Sequence, residues 1–79
     1  MNEFNDKGEC HGYWEHYNSD GNLMYKRYYN NGKKDGYWED YWFNGNLFRK
    51  GNYINDNKNG YWERYEYNDG EISDKEFYL

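Results

Sequence analysis

Gly12-Tyr13-Trp14-Glu15-His16-Tyr17 returns as Gly36-Tyr37-Trp38-Glu39-Asp40-Tyr41 and again as Gly60-Tyr61-Trp62-Glu63-Arg64-Tyr65. The interval is 24 residues both times, and five of the six positions agree in all three copies. Self-similarity at such a period marks a repeat architecture in which each unit is one supersecondary element. Each copy runs on into Asp20-Gly21, Asn44-Gly45 or Asp69-Gly70, then Leu23, Leu47 or Ile72, then Tyr29, Tyr53 or Tyr78. Polar linkers, 30–35 and 55–59, lead back to the next glycine. Tyr, Trp and Phe favour strands, and Asp-Gly or Asn-Gly supplies the positive φ angles of tight hairpin turns. Each repeat therefore reads as a β-hairpin turning at Gly21, Gly45 or Gly70.

Charge tests the register. A two-residue turn at Asp20-Gly21 sets Glu15 opposite Lys26 and Trp14 opposite Arg27; one at Asn44-Gly45 sets Glu39 opposite Lys50, Asp40 opposite Arg49 and Trp38 opposite Gly51. The third repeat carries one extra residue. A three-residue turn, Asn68-Asp69-Gly70, pairs Glu63 with Lys75 and Arg64 with Asp74, whereas a two-residue turn would oppose like charges. Opposite charges across strands stabilise by roughly 0.2–1 kcal/mol and like charges destabilise, so the extra residue belongs in the turn.

Alternation then sorts the side chains. One face carries Tyr13, Glu15, Tyr17, Met24, Lys26 and Tyr28, followed by Tyr37, Tyr41, Phe43, Phe48, Tyr61, Tyr65, Tyr67 and Phe77. The other carries Trp14, Leu23, Tyr25, Tyr29, Trp38, Trp42, Leu47, Tyr53, Trp62, Ile72 and Tyr78. Neither face is plainly polar, and no segment has helical periodicity to cover one. The expectation is an all-β, single-layer antiparallel meander of three 24-residue hairpin repeats, elongated and twisted. Six strands are expected, with a seventh at 2–4. The repeats occupy about 5–29, 30–53 and 54–79 of a single domain.

Composition sets the limits. Among the 79 residues Leu, Ile, Val and Phe together number nine, which alone would point to disorder, yet 25% of the chain is aromatic. The net charge of −5 disfavours nucleic acid and anionic lipid, both of which are held mainly by Lys and Arg. No stretch approaches the roughly 20 apolar residues of a membrane helix. Met1-Asn2-Glu3 opens no signal peptide, and the single Cys10 makes no internal disulfide, so a cytoplasmic protein is expected.

At these residues the chain resembles MORN-repeat proteins, and within them the bacterial group of YwqK-type antitoxins. The resemblance rests on the Gly-x-Trp-x-x-Tyr of Gly12, Trp14 and Tyr17 and its copies, the turn-plus-aliphatic of Gly21 and Leu23, Gly45 and Leu47, and Gly70 and Ile72, and Gly51 with Tyr53. Arg27 and Glu76 depart from the pattern where Gly51 keeps it, and Asp56 stands in place of a linker glycine. The resemblance implies an elongated sheet of consecutive hairpins and a binding role, with an antitoxin role for the bacterial group.

Trp and Tyr dominate interface hot spots, so Trp14, Tyr25, Trp38, Trp42, Tyr53 and Trp62 are the candidate partner-binding residues, although the same ladder is what a sheet needs for packing. Glu15, Glu39 and Glu63 form a carboxylate row, but each faces a lysine, which is pairing rather than acid–base chemistry. Cys10-His11 falls short of a four-ligand zinc site. Ser19 and Ser73 sit in or near turns with no base nearby. No enzyme, metal or cofactor is expected. The expectation is a protein-interaction module whose partner is another protein or a second copy. The alternative is a small acidic antitoxin or phage or viral inhibitor that neutralises a nuclease, toxin or host-defence protein through charge complementarity.

Overall fold

The computed structural model describes residues 2–79. Its strands are β1 (Glu3–Phe4), β2 (Cys10–Tyr17), β3 (Leu23–Asn30), β4 (Lys33–Lys34), β5 (Gly36–Tyr41), β6 (Leu47–Ile54), β7 (Asn57–Tyr65) and β8 (Ile72–Tyr78). They form one antiparallel sheet in the order β1-β2-β3-β5-β6-β7-β8, with β4 paired to the end of β3. The molecule measures 42 × 37 × 11 Å, one sheet thick. The three repeats are the β2–β3, β5–β6 and β7–β8 hairpins. The expected seventh strand is β1, whose Glu3 and Phe4 pair with His11 and Cys10. Beyond it the Asn2 carboxamide continues the edge, accepting from Glu15 N–H at 2.8 Å and donating to Glu15 O at 2.9 Å.

The outer register of each hairpin is the one the charges require. Trp14 lies opposite Arg27, Glu15 opposite Lys26, Trp38 opposite Gly51, Glu39 opposite Lys50, and Glu63 opposite Lys75. The turns differ from expectation. Gly21 and Gly45 close three-residue loops rather than two-residue turns: Asn18 N–H donates to Asn22 O, and Trp42 N–H to Asn46 O. The third loop has four residues, 67–70, closed by Glu66 N–H to Glu71 O. A register shift beside Tyr17, Tyr41 and Tyr65 then absorbs one residue in the returning strand. Loop and bulge cancel, so the pairing beyond them is unchanged. The cause in the first hairpin is Asn18, whose side-chain oxygen accepts the N–H groups of Asp20 and Asn22. That Asx geometry needs positive φ only at Gly21. Tight two-residue turns do occur, but in the linkers: Asn31-Gly32 and Asn55-Asp56 all have positive φ, as a type I′ turn demands.

The core is an aromatic ladder on one face, here called the tryptophan face. Phe4, Trp14, Tyr29, Trp38, Tyr53 and Trp62 follow one another edge to face, with centroid separations of 5.1, 6.2, 5.6, 4.8 and 4.9 Å. Such pairs add about 0.5–1.5 kcal/mol beyond the area they bury. No second layer covers them, and the sheet's own cations do so instead. Lys34 lies over Trp38 and Tyr53, Lys58 over Trp62 and Tyr78, and the Arg27 guanidinium 4.5 Å above Trp38. Their aliphatic stems exclude water while the charged ends stay wet. Trp38 is left 3% exposed. Arg27 is pinned by Asp40, which is 7% exposed and accepts from Arg27 Nη2 at 2.8 Å and Arg49 Nε at 2.7 Å.

Gly51 completes the arrangement, because a Cβ there would collide with the indole of Trp62. Gly51→Ala is expected to cost roughly 2–3 kcal/mol, read as a fall in Tm of about 10–20 °C for a chain of this size. Asp40→Asn is expected to cost about 2 kcal/mol by chemical denaturation. That is less than for a fully buried pair, since both guanidinium groups retain access to water.

Candidate functional site

The opposite face, here the tyrosine face, is built by the Tyr-x-Glu-x-Tyr segments of β2, β5 and β7. Alternation puts all three residues of a segment on one side. Their hydroxyls close on the central carboxylate. Tyr13 donates to Glu15 at 2.8 Å and Tyr17 at 3.3 Å; Tyr37 and Tyr41 both donate to Glu39 at 2.5 Å; Tyr65 donates to Glu63 at 2.7 Å. The lysines of the returning strands add charge. Lys26 Nζ stands 3.9 Å from Glu39, and Lys50 Nζ 3.7 Å from Glu63, so these two ion pairs join consecutive repeats rather than closing their own hairpins as expected. Lys75 pairs with Glu63 within its hairpin, at 3.6 Å.

These contacts displace titrations in opposite directions. Burial by itself would raise the Glu39 carboxyl, but the hydroxyls of Tyr37 and Tyr41 and the ammonium groups of Lys26 and Lys50 outweigh it and hold it below the ordinary value. Glu63 is held low by Tyr65 and the same kind of lysine pair. Burial, followed by the adjacent carboxylate, drives the phenols of Tyr13, Tyr37 and Tyr41 well above theirs. The arrangement favours the charged form of Glu39 and Glu63 and the neutral form of the phenols around them.

Three of the six residues singled out from sequence, Trp38, Tyr53 and Trp62, form the buried core. Trp14, Tyr25 and Trp42 are half-buried: Trp14 in the ladder, Tyr25 stacked on His16 and beneath Arg27, Trp42 packed on Phe48 and Tyr67. Alternation assigned Phe48 to the tyrosine rows. The bulge in β6 brings it against Trp42 instead, at 4.1 Å. Five exposed rings lie on the tyrosine face, Tyr17, Tyr28, Tyr37, Tyr61 and Phe77, with Tyr61 65% exposed; Phe4 at the edge of the ladder and the loop rings Phe43 and Tyr67 are exposed as well. Those five fell on one face by alternation; Lys75 and Lys50 reach over Tyr61 and Tyr65 there, but the buried rings lie under Lys34, Lys58 and Arg27 on the other face.

Between Tyr37 and Tyr61 the face dips into an open depression of about 460 Å³, floored by Gly51, Asn52, Asn59 and Gly60 and flanked by Lys50, Glu63 and Lys75. His11 Nδ1 accepts the Asn31 N–H at 3.1 Å, and among the described residues no group of three His, Cys, Asp or Glu side chains could hold a metal ion.

The titrations predict a stability plateau bounded at both ends. Depressed carboxyls such as Glu39 and Glu63 contribute stability above 4.5, their ordinary value, and lose it as pH falls through and below that point. Phenols with raised values contribute stability below 10.0 and lose it as pH climbs beyond. Melting temperature against pH should therefore fall on both sides. Tyr37→Phe with Tyr41→Phe should move the acid limb to higher pH, and an unmoved limb would refute the coupling.

Set against known proteins, the chain matches no family model, no curated protein and no solved structure.

Proposed function

We propose that the chain is a non-enzymatic protein-interaction module of MORN-like hairpin repeats, acting in the cytoplasm through its tyrosine face. One observation supports this most directly. The fold covers Trp38, Tyr53 and Trp62 with its own cations but leaves five aromatic rings of the tyrosine face exposed. Exposed aromatic patches on a soluble surface mark contact sites. Tyrosine suits them, because its ring offers area at low entropic cost and its hydroxyl tolerates water. The carboxylates beneath are already paired with hydroxyls and ammonium groups, so docking would not bury an unpaired charge.

Charge argues against capture of a basic groove as the main mode. Along the hairpin rows Glu15, Glu39 and Glu63 are offset by Lys26, Lys50 and Lys75, so the acid excess of the chain lies off this face. Binding through rings rather than net charge would depend little on salt.

Tyr61→Ser with Phe77→Ser removes two packed but exposed rings. The double variant should melt within a few degrees of the parent yet lose most of its partner in affinity capture from the native host. Phe43→Ser, an exposed loop ring, should capture as the parent does. Equal recovery by the double variant would refute the assignment of this face.

A further inference from the structure

The tyrosine face contains a row of six positions, one per long strand: Tyr13, Tyr28, Tyr37, Asn52, Tyr61 and Phe77. The hairpin registers pair them as Tyr13 with Tyr28, Tyr37 with Asn52, and Tyr61 with Phe77. In the outer hairpins both partners are rings, with centroids 5.0 and 4.7 Å apart. Rings so close cannot both lie flat on the sheet, and their planes are tilted by 46° and 53° to each other. In the central hairpin the second ring is missing, and the depression between Tyr37 and Tyr61 occupies its place.

We infer that this vacancy is a slot for one flat aromatic ring, a tyrosine side chain presented by the partner protein. Strands β5 and β7 flank β6, and although the β6–β7 register shifts beside Asn52, Tyr37 and Tyr61 both line the depression, about two strand spacings or 9–10 Å across. A ring entering midway would stand about 5 Å from each, the separation of the built pairs and within the favourable range for aromatic contacts. The floor explains why the ring should carry a hydroxyl. Asn52 and Asn59 are register partners half-buried in the slot. Among the described residues, neither carboxamide has a hydrogen-bond partner. A phenol inserted tip-first brings its hydroxyl to these amides, whereas a phenylalanine ring would leave them unmet. Specificity of that kind comes from the penalty of burying polar groups without partners. The neighbouring Lys50 and Lys75 both hold Glu63, which leaves one ammonium charge in excess at the rim, and the face of an entering ring can meet it as the Tyr61 ring meets Lys75 at 5.3 Å.

This inference rests on the proposed role of the tyrosine face, and its test is separate from that of the face. The probe is p-cresol, the tyrosine side chain itself, titrated into the intact protein and followed by NMR. Saturable shifts are expected at the Asn52 and Asn59 side-chain amides and the Tyr37 and Tyr61 rings, with upfield ring-current shifts on the probe. 4-Methylcyclohexanol, which has the same substituents without the flat face, should produce none. Asn52→Tyr supplies the missing ring from within, and should abolish p-cresol binding while raising Tm. Tyr61→Ser removes one wall and should weaken binding by about tenfold, the size of one aromatic contact. No saturable shift, equal shifts with 4-methylcyclohexanol, or undiminished binding in a folded Asn52→Tyr would each overturn the slot. Any of them would leave the wider reading of the face to stand or fall on the Tyr61 and Phe77 variants. Line broadening that grows with protein concentration and vanishes in Asn52→Tyr would assign the slot to a second copy of the chain, and so overturn the assignment to a foreign partner.

Discussion

A sheet with no second layer must cover its own core, and everything distinctive in this molecule follows from how it does so. The ladder through Trp38, Tyr53 and Trp62 is dry because Lys34, Lys58 and Arg27 lie over it. In a two-layer domain a facing helix or sheet would perform this task. Here the cover is single side chains, and each needs an anchor at its charged end. Asp40 provides one, drawing Arg27 and Arg49 to a nearly buried carboxylate between two strands. Gly51 provides the complementary absence, the space into which the Trp62 indole settles. Stability is therefore spread along the row and depends on contacts between neighbouring repeats.

The same economy leaves the other face open. Its carboxylates are satisfied by hydroxyls two residues away and by lysines, two of which reach forward to the next repeat. The Tyr–Glu–Lys networks thus add coupling between hairpins, and Lys75, which reaches over Tyr61, still leaves that ring 65% exposed. What remains at the surface is aromatic, neutral along its rows and firmly held. A contact surface of this kind loses little side-chain entropy on binding, and its one irregularity is the missing ring at Asn52.

Much of this was legible in the chain. The 24-residue period, the three hairpins and the residue pairs from Trp14–Arg27 to Glu63–Lys75 follow from local pattern and charge, because cross-strand neighbours are set by counting outward from a turn. The turns themselves were read too short. Asp20-Gly21 looks like a two-residue turn, but the Asn18 side chain selects a longer loop, and a bulge removes the extra residue again. Two local departures that cancel leave no trace in the outer register. The bulge does have one visible effect, since alternation fails across it and Phe48 meets Trp42. The site was less legible. Six rings on the tryptophan face were the natural candidates, and three of them turned out to be the core.

The sequence by itself determined that the chain is a meander of three aromatic hairpins and which residues lie opposite one another, because period, turn residues and charge complementarity are all local or nearly so. Only the tertiary structure decided which face is interior. Both faces are rich in rings, so hydrophobicity could not choose between them. The choice is made by where long side chains fold back. Arg27 lies across Trp38 from the neighbouring strand, and Lys34 and Lys58 cover the rings of two strands each, while Lys26 and Lys50 are drawn to carboxylates of the next repeat. That difference is a matter of three-dimensional reach between strands, and it places the open surface on the tyrosines.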